Sequence, residues 1–221
     1  MRRALMPKQP LVIFAVFLLT ACYGPPETVS LSQNADLLDG RLVRAVPDDR
    51  EFFSVWTHGR SGLNVEVFKF LDAAGIEDPA TVMEAALARH LVERAGAKSI
   101  GSPLAFDPNK PDDLIAWARD RAVTDILIDV ETKNWGFEWW SSSVKYEAIF
   151  RLIDPVSGRI LAQHLCDLKS PTPEYGPETP QNPFPEDDVS RALLADNAAP
   201  IKAIVSELAE ACLQDVKSAA L

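Results

Sequence analysis

The stretch Thr124-Asp-Ile-Leu-Ile-Asp-Val-Glu-Thr132 places Ile126, Ile128 and Val130 on one face of an extended chain. This period of two residues predicts a β-strand. The stretches 144–153 and 159–168 repeat the alternation, and Asp154-Pro-Val-Ser-Gly158 connects them. Because proline early and glycine late suit a short hairpin loop, segments 124–134, 144–153 and 159–168 predict an antiparallel β-meander. The predicted fold is therefore an α+β domain in which helices pack on this meander.

Helix signals lie on both sides of the meander. Asp78-Pro79 supplies an N-cap and a proline at the first helical position, and Gly96 follows the last periodic residue, which predicts a helix over 79–95. Pro111 with two following aspartates predicts a second helix over 111–122. From Asp188 onward, apolar residues recur at steps of three and four. They predict a long C-terminal helix with one apolar face, made of Ile201, Ile204, Val205, Leu208, Ala211 and Cys212.

The remaining segments are shorter or irregular. Segments 41–46, 51–57 and 64–70 are further strand candidates, although both faces of 64–70 carry apolar residues. Between Ser170 and Glu186 there are six prolines. Because proline cannot continue a β-ladder, this region predicts an extended loop between the third strand and the C-terminal helix.

The first 21 residues have the layout of an export signal. Met1 to Lys8 carries three basic residues and no acidic one, and Leu11 to Leu19 is an unbroken apolar run. This run is about half of the roughly 20 residues that a spanning helix requires. Leu19-Thr-Ala-Cys22 follows directly, and here the chain resembles the bacterial lipoproteins, whose lipobox ends in the cysteine that receives lipid. All four positions match that pattern.

The lipoprotein resemblance implies cleavage of residues 1–21, acylation of Cys22 with fatty acids such as palmitate, and a lipid anchor in the cell envelope. Tyr23 stands where an aspartate would retain a lipoprotein in the inner membrane. In a Gram-negative cell this implies the outer membrane, with the protein facing the periplasm. The alternative is an ordinary cysteine near a secretory cleavage site. Residues 22–38, rich in glycine, proline and small polar residues, predict a flexible tether, and 39–221 a single domain.

The charge of the chain restricts its partners. It has 22 basic and 32 acidic residues, and the leader contains three of the basic residues and none of the acidic ones. The mature chain therefore has a formal net charge of −13. This charge argues against nucleic acid as a partner and against electrostatic adhesion to anionic lipid. We expect contact with the membrane to come from the acyl chains, since two or three such chains anchor a protein stably.

The three cysteines predict a disulfide. If lipid consumes Cys22, Cys166 and Cys212 remain as an even pair in an oxidising compartment. A bond between them would join the end of the third strand to the apolar face of the C-terminal helix. The alternative is two buried free thiols. A zinc site is not predicted, because neither cysteine has a histidine or cysteine at ligand spacing.

Aromatic residues are concentrated between the first two strands of the meander. Asn134 to Ser143 contains Trp135, Phe137, Trp139 and Trp140. Tryptophan is enriched at binding hot spots and at membrane interfaces because it buries a large area and keeps a polar N–H group. These four side chains therefore predict a contact surface. The alternative is that the rings cover the end of the sheet beneath a neighbouring loop.

No catalytic, metal or cofactor motif is found in the mature chain. His90 and Glu93 lie three residues apart on the first predicted helix, a spacing that allows a shared metal or proton, but a single pair is more typical of a solvated helix face. The sequence contains no Gly-x-Ser-x-Gly elbow, no dinucleotide fingerprint and no phosphate-binding loop. We therefore expect no cofactor.

The order of helices, meander and final helix resembles the small α/β domains of periplasmic lipoproteins and assembly factors, such as the curli-secretion lipoprotein and the TolB amino-terminal domain. This likeness is one of architecture and transfers no function. The first hypothesis is a non-enzymatic lipoprotein that binds an envelope protein or associates with copies of itself. The alternative is a cell-wall carbohydrate-binding or carbohydrate-modifying protein that uses the aromatic residues for stacking and Glu138 or Asp129 as polar partners.

Overall fold

A computed structural model describes residues 27–47, 54–56, 73–105, 113–138, 141, 143–170 and 185–221. The strands are β1 (Leu42–Ala45), β2 (Ser54–Trp56), β3 (Ser99–Ile100), β4 (Ile126–Glu138), β5 (Ser143–Asp154) and β6 (Arg159–Lys169). The helices are α1 (Pro79–Arg94), α2 (Leu114–Asp120) and α3 (Pro185–Ala219), and two short 3-10 helices, Leu31–Gln33 and Ala35–Leu37, precede β1. The α+β class is therefore confirmed.

The sheet is mixed, which corrects the prediction of an antiparallel meander. Its order is β3-β1-β4-β5-β6, and β2 pairs with the far end of β4. β4, β5 and β6 pair antiparallel, whereas β1 pairs parallel with both β3 and β4, and β2 pairs parallel with β4. The parallel pairs arise because α1 lies between β1 and β3 in the chain, and α2 lies between β3 and β4. A helical connection allows the next strand to run in the same direction, as a tight hairpin does not.

The main core lies on the face of the sheet that α1 and α3 cover. β5 contributes Tyr146, Ala148, Phe150 and Leu152, as its alternation predicts, and all four side chains are buried. Helix α1 contributes Met83, Leu87 and Leu91, and α3 contributes a row from Ile201 to Val216.

A smaller apolar cluster lies on the opposite face at the start of β4. There Leu127 and Ile153 pack against Leu114, Trp117 and Ala118 of α2. The first half of β4 is therefore buried on both faces, which explains why Leu127 interrupts the polar side of its alternation.

The helix ends follow from local chemistry. The Asp78 carboxylate accepts a hydrogen bond from the Ala80 N–H at 2.9 Å, and Pro79 is the first residue of α1. Helix α2 is shorter than predicted, since Asp113 caps it by accepting from the Ala116 N–H at 3.0 Å. Helix α3 begins before Asp188 and has non-helical backbone angles from Ala195 to Ala198. Of the described residues, no helix combines the length and apolar character that crossing a bilayer requires.

Cys166 and Cys212 form the predicted disulfide, with their Cα atoms 5.8 Å apart. Both side chains are buried, one on β6 and one on α3. The bond therefore joins the C-terminal helix covalently to the sheet.

The described part of the predicted tether, residues 27–38, packs against the domain, which corrects the prediction of flexibility there. Leu31 and Leu38 are 2% and 0% exposed. Leu31 donates its N–H to the Ala220 carbonyl at 2.7 Å, and Asn34 donates its side-chain N–H to the Leu161 carbonyl at 3.1 Å. The composition predicts a tether because polar residues such as Ser30, Ser32 and Gln33 are frequent in this segment. The predicted strand 64–70 lies outside the described residues, as does most of 51–57.

Candidate functional site at the end of the β4–β5 hairpin

The predicted aromatic surface is divided by a β-bulge in β4. Thr132 pairs with Ala148 and Asn134 with Glu147, so the register shifts by one residue between them. After the bulge the odd-numbered residues of β4 face the main core. A one-residue shift reverses which side of the sheet every following side chain occupies.

Trp135 and Phe137 are therefore core residues, only 5% and 0% exposed. Both rings are therefore buried within the described structure, which does not agree with their inclusion in the predicted contact surface. Trp139 and Trp140 lie outside the described residues, as does Cys22.

A polar cluster closes the end of the hairpin beside Trp139 and Trp140 in sequence. Glu138 accepts hydrogen bonds from Ser141 Oγ at 2.9 Å and Ser143 Oγ at 3.4 Å, and its carboxylate also pairs with Lys169 Nζ. The two serine hydroxyls lie 2.6 Å apart. We refer to Glu138, Ser141, Ser143 and Lys169 as the hairpin cluster. The sequence predicts Glu138 as a polar group, but Lys169 comes from β6 and becomes a neighbour only through strand pairing.

The hairpin cluster keeps the Glu138 carboxyl ionised. Partial burial raises its pKa, but the hydrogen bonds from Lys169, Ser141 and Ser143 outweigh this effect, so the pKa lies below its ordinary value. A general acid in glycoside hydrolysis needs a raised pKa in order to hold its proton at neutral pH. Glu138 is therefore suited to accept hydrogen bonds or to pair with a cation.

Asp129, the other carboxylate considered for a carbohydrate site, is part of a buried ion network. Arg151 Nε donates to Asp129 Oδ2 at 2.8 Å, and the same guanidinium pairs with Glu131. Asp129 is fully buried. Glu138 lies nine positions after Asp129 along β4, which corresponds to roughly 30 Å of strand. Paired carboxylates that hydrolyse a glycosidic bond lie within about 10 Å of each other. These two residues therefore cannot act as such a pair.

His90 and Glu93 occupy the outer side of α1. Burial lowers the pKa of His90, Lys217 and Arg94 lower it further by repulsion, and Glu93 opposes them. The side chain is therefore neutral at pH 7. Among the described residues, no group of three histidine, cysteine, aspartate or glutamate side chains is arranged to hold a metal ion.

A second histidine has partners that sequence spacing could not indicate. His164 Nε2 lies 2.7 Å from Asp215 Oδ2, and its Nδ1 lies 3.3 Å from Thr28 Oγ1. The three residues come from β6, α3 and the N-terminal segment. Because Thr28 is exposed and lies on the outer edge of the sheet, this arrangement connects three segments instead of lining a cleft.

A groove of about 280 Å³ lies between the start of α1 and the middle of α3. Met83, Val205 and Leu213 contribute apolar surface, and the groove is also lined by Glu77, Lys202 and Glu210. Because side chains of both charge signs line the groove, its electrostatics do not favour one class of ligand.

No protein-family model and no curated protein sequence matches the chain. Two solved structures of the PelC dodecamer from Paraburkholderia phytofirmans are similar, one of them a variant. The variant is 14% identical, and the match covers 76% of this chain and 88% of that chain, with a TM-score of 0.29. The other is 11% identical over 70% of this chain and 86% of that chain, also with a TM-score of 0.29. Likeness at this level transfers neither fold nor function.

Proposed function

We propose that this chain is an envelope lipoprotein, exported, cleaved before Cys22 and acylated there, with a binding or assembly role that needs no enzymatic step. In a Gram-negative cell its place is the outer membrane, facing the periplasm. The observation that supports this proposal is the buried Cys166–Cys212 disulfide. Structural disulfides belong to proteins of oxidising compartments, and export delivers the chain to one.

The same disulfide also supports the proposed lipidation of Cys22. With two of the three cysteines paired, Cys22 is the remaining one, and it directly follows Leu19-Thr-Ala. An unpaired cysteine in an exported protein is a reactive thiol unless it is modified. Acylation removes that thiol and anchors the domain.

The proposed binding role uses the β4–β5 connection, with Trp139 and Trp140 as contact residues and the hairpin cluster beside them. The partner is an envelope protein or another copy of the chain. The hairpin cluster supports this role because its three hydrogen-bonding partners fix the end of the hairpin at Glu138, directly before the two tryptophans. A rigid support reduces the conformational entropy that contact residues lose on binding.

Affinity capture from the native envelope tests the binding role. The test variant is Trp139→Ala with Trp140→Ala, and the matched control is Val156→Ala, at an exposed apolar residue on the β5–β6 turn. We expect the double variant to lose its partner and the control to retain it, with near-ultraviolet circular dichroism unchanged outside the tryptophan bands. Unaltered recovery by a correctly folded double variant would contradict the role of these residues.

The alternative proposal is carbohydrate binding in the cell wall, and one observation favours it. Glu138 is held ionised next to two tryptophans in sequence, and a carboxylate beside an aromatic ring suits sugar hydroxyls. Sedimentation with purified peptidoglycan tests it. Retention that Glu138→Gln weakens supports carbohydrate binding, and the absence of retention at any pH between 5 and 8 removes this alternative.

A further inference from the structure

The N-terminal segment of the described chain is bound along the outer edge of the sheet. Val29 pairs antiparallel with Gln163 of β6, and each N–H donates to the other's carbonyl at 2.9 Å. Two residues later, Leu31 donates to the Ala220 carbonyl at 2.7 Å, just beyond the end of α3. We refer to residues 27–31 as the mooring segment. It acts as a short additional strand on β6.

Side chains strengthen this attachment at both ends of the mooring segment. Gln163 Nε2 donates to the Glu27 carbonyl at 3.0 Å, and Thr28 Oγ1 contacts the His164 ring that also pairs with Asp215. Leu31 is 2% exposed in the main core. Residues 27–31 are therefore part of the folded domain.

Few residues remain between the mooring segment and the proposed lipid anchor. Tyr23, Gly24, Pro25 and Pro26 separate Cys22 from Glu27. Five Cα–Cα steps span at most about 18 Å even when the chain is fully extended. Covalent geometry therefore limits how far the domain can lie from the acyl chains.

We propose that the short connection to Cys22 holds the domain close to the bilayer, with the β6 edge of its sheet facing the lipid surface. This inference rests on acylation of Cys22, the proposed function. Four strand spacings, roughly 19 Å, separate β6 from β3 at the opposite edge of the sheet. β3 therefore faces away from the membrane. Because the mature chain is acidic, its proximity to lipid comes from the short connection and not from electrostatic attraction.

The direction of the mooring segment also orients the domain. It runs antiparallel to β6, so the chain that leads back from Glu27 to Cys22 points toward the Lys169 end of β6. The hairpin cluster lies at that end, and the Asp154–Gly158 turn lies at the other. The proposed contact site is therefore on the membrane side of the domain, where a partner embedded in or lying on the same bilayer can reach it.

Fluorescence quenching in lipid vesicles tests the orientation. A fluorescent amino acid replaces Glu27, Ile100 on β3 or Val156 on the β5–β6 turn, all of which are exposed. Each acylated protein is reconstituted in phosphatidylcholine and phosphatidylglycerol vesicles that contain nitroxide-labelled headgroups. We expect severalfold stronger quenching at position 27 than at positions 100 and 156. Equal quenching at positions 27 and 100 would overturn the proposal.

A spacer variant and a mass measurement separate the possible failures. A Gly/Ser insertion of about 20 residues between Gly24 and Pro25 adds an average span of about 25 Å and leaves the mooring segment unchanged. Quenching at position 27 should then fall to the level at position 100, and unchanged quenching would contradict a length-limited attachment. Intact mass is recorded first for every sample. A chain without acyl groups refutes the proposed function, whereas an acylated chain with uniform quenching refutes only the orientation.

Discussion

Asp154 shows how a single carboxyl group stabilises the turn between β5 and β6. It is 2% exposed, and it accepts hydrogen bonds from Arg41 and from the Val156 N–H, each at 3.1 Å. Burial raises its pKa, but the bonds from Ser157, Arg41 and Val156 outweigh burial and hold the pKa below the ordinary value of 3.8. The folded state therefore binds this proton less tightly than the unfolded state does.

The direction of this pKa shift determines how the effect of Asp154→Asn on the free energy of unfolding depends on pH. The stabilisation is complete above the unfolded-state pKa and is lost as the pH falls through the folded-state pKa. At pH 7 we expect Asp154→Asn to lower the free energy of unfolding by roughly 2 kcal/mol, and the difference from the parent protein to narrow below pH 4. Urea unfolding at pH 7, 5 and 3 measures this difference between the variant and the parent protein. Asp39→Asn, at an exposed residue, is the control and should have little effect. A pH-independent difference would show that the charge of Asp154 is unimportant.

Ala122 occupies a backbone conformation that suits glycine. Its φ is +53°, and it lies where α2 ends, with the Val123 N–H bonded to the Ala118 carbonyl and its own N–H to Arg119. These two hydrogen bonds form a Schellman motif, in which glycine is usual at this position. An alanine in the left-handed conformation costs roughly 1–2 kcal/mol of strain, which glycine avoids. Glycine in turn costs about 0.5–1 kcal/mol more than alanine in conformational entropy on folding.

We therefore expect Ala122→Gly to raise the free energy of unfolding by about 0.5–1 kcal/mol. The matched control is Ala85→Gly, at an exposed position within α1, which should lower it by about 1 kcal/mol. Urea unfolding of both variants measures the difference. If the two substitutions destabilised the protein equally, the left-handed helix end would be disproved.

The sequence predicts the burial of some individual side chains well and of others poorly. Tyr146, Ala148, Phe150 and Leu152 are buried as their alternation indicates, because the extra residue of the bulge lies in β4 and the alternation of β5 continues past it. Trp135 and Phe137 are buried against expectation, because the bulge after Thr132 reverses the faces of β4. A bulge depends on how two strands pair, so one strand's composition does not reveal it.

The disulfide makes α3 and β6 one covalent element. Forty-six positions separate Cys166 from Cys212, and the chain-entropy model gives a stabilisation of at most about 4 kcal/mol for a loop of this length. We expect Cys212→Ala to lower the free energy of unfolding by up to this amount, as measured by urea unfolding.

A second substitution and a thiol assay check this interpretation. Once Cys212→Ala has removed the bond, Cys166→Ala should add little, since both changes remove the same crosslink. Alkylation of the unfolded, unreduced mature protein should label no cysteine. Labelling of both Cys166 and Cys212 in protein from the native envelope would contradict the crosslink.

Elements with local signals were predictable, and elements that depend on distant partners were not. The hairpin between β5 and β6 contains its own turn, with Gly158 at φ +72°, and helix α1 contains its own cap. By contrast, β3 has two residues and exists through parallel pairing with β1. The mooring segment likewise needs Gln163 of β6 as its partner, which lies 134 residues away from Val29. Such pairings follow from topology and not from residue spacing.

For the whole molecule, the proposed location and the proposed orientation depend on different parts of the chain. The proposed cellular location comes from Leu19-Thr-Ala-Cys22, a motif that a processing enzyme recognises without any folded structure. The orientation comes from the fold, because only strand pairing shows that the mooring segment is attached to β6. Of the candidate site, the sequence predicts Glu138, whereas Lys169 enters it through strand pairing.

Intact mass spectrometry of the protein purified from its own membranes is the direct test of lipid attachment at Cys22. We expect a chain that begins at Cys22, carries two or three fatty acyl chains on that residue, and contains one disulfide. Metabolic labelling with palmitate should mark this chain, and Cys22→Ser should abolish the label. A purified product that retains its first 21 residues, or that begins near Cys22 without any fatty acid, would show that the chain is not a lipoprotein anchored at Cys22.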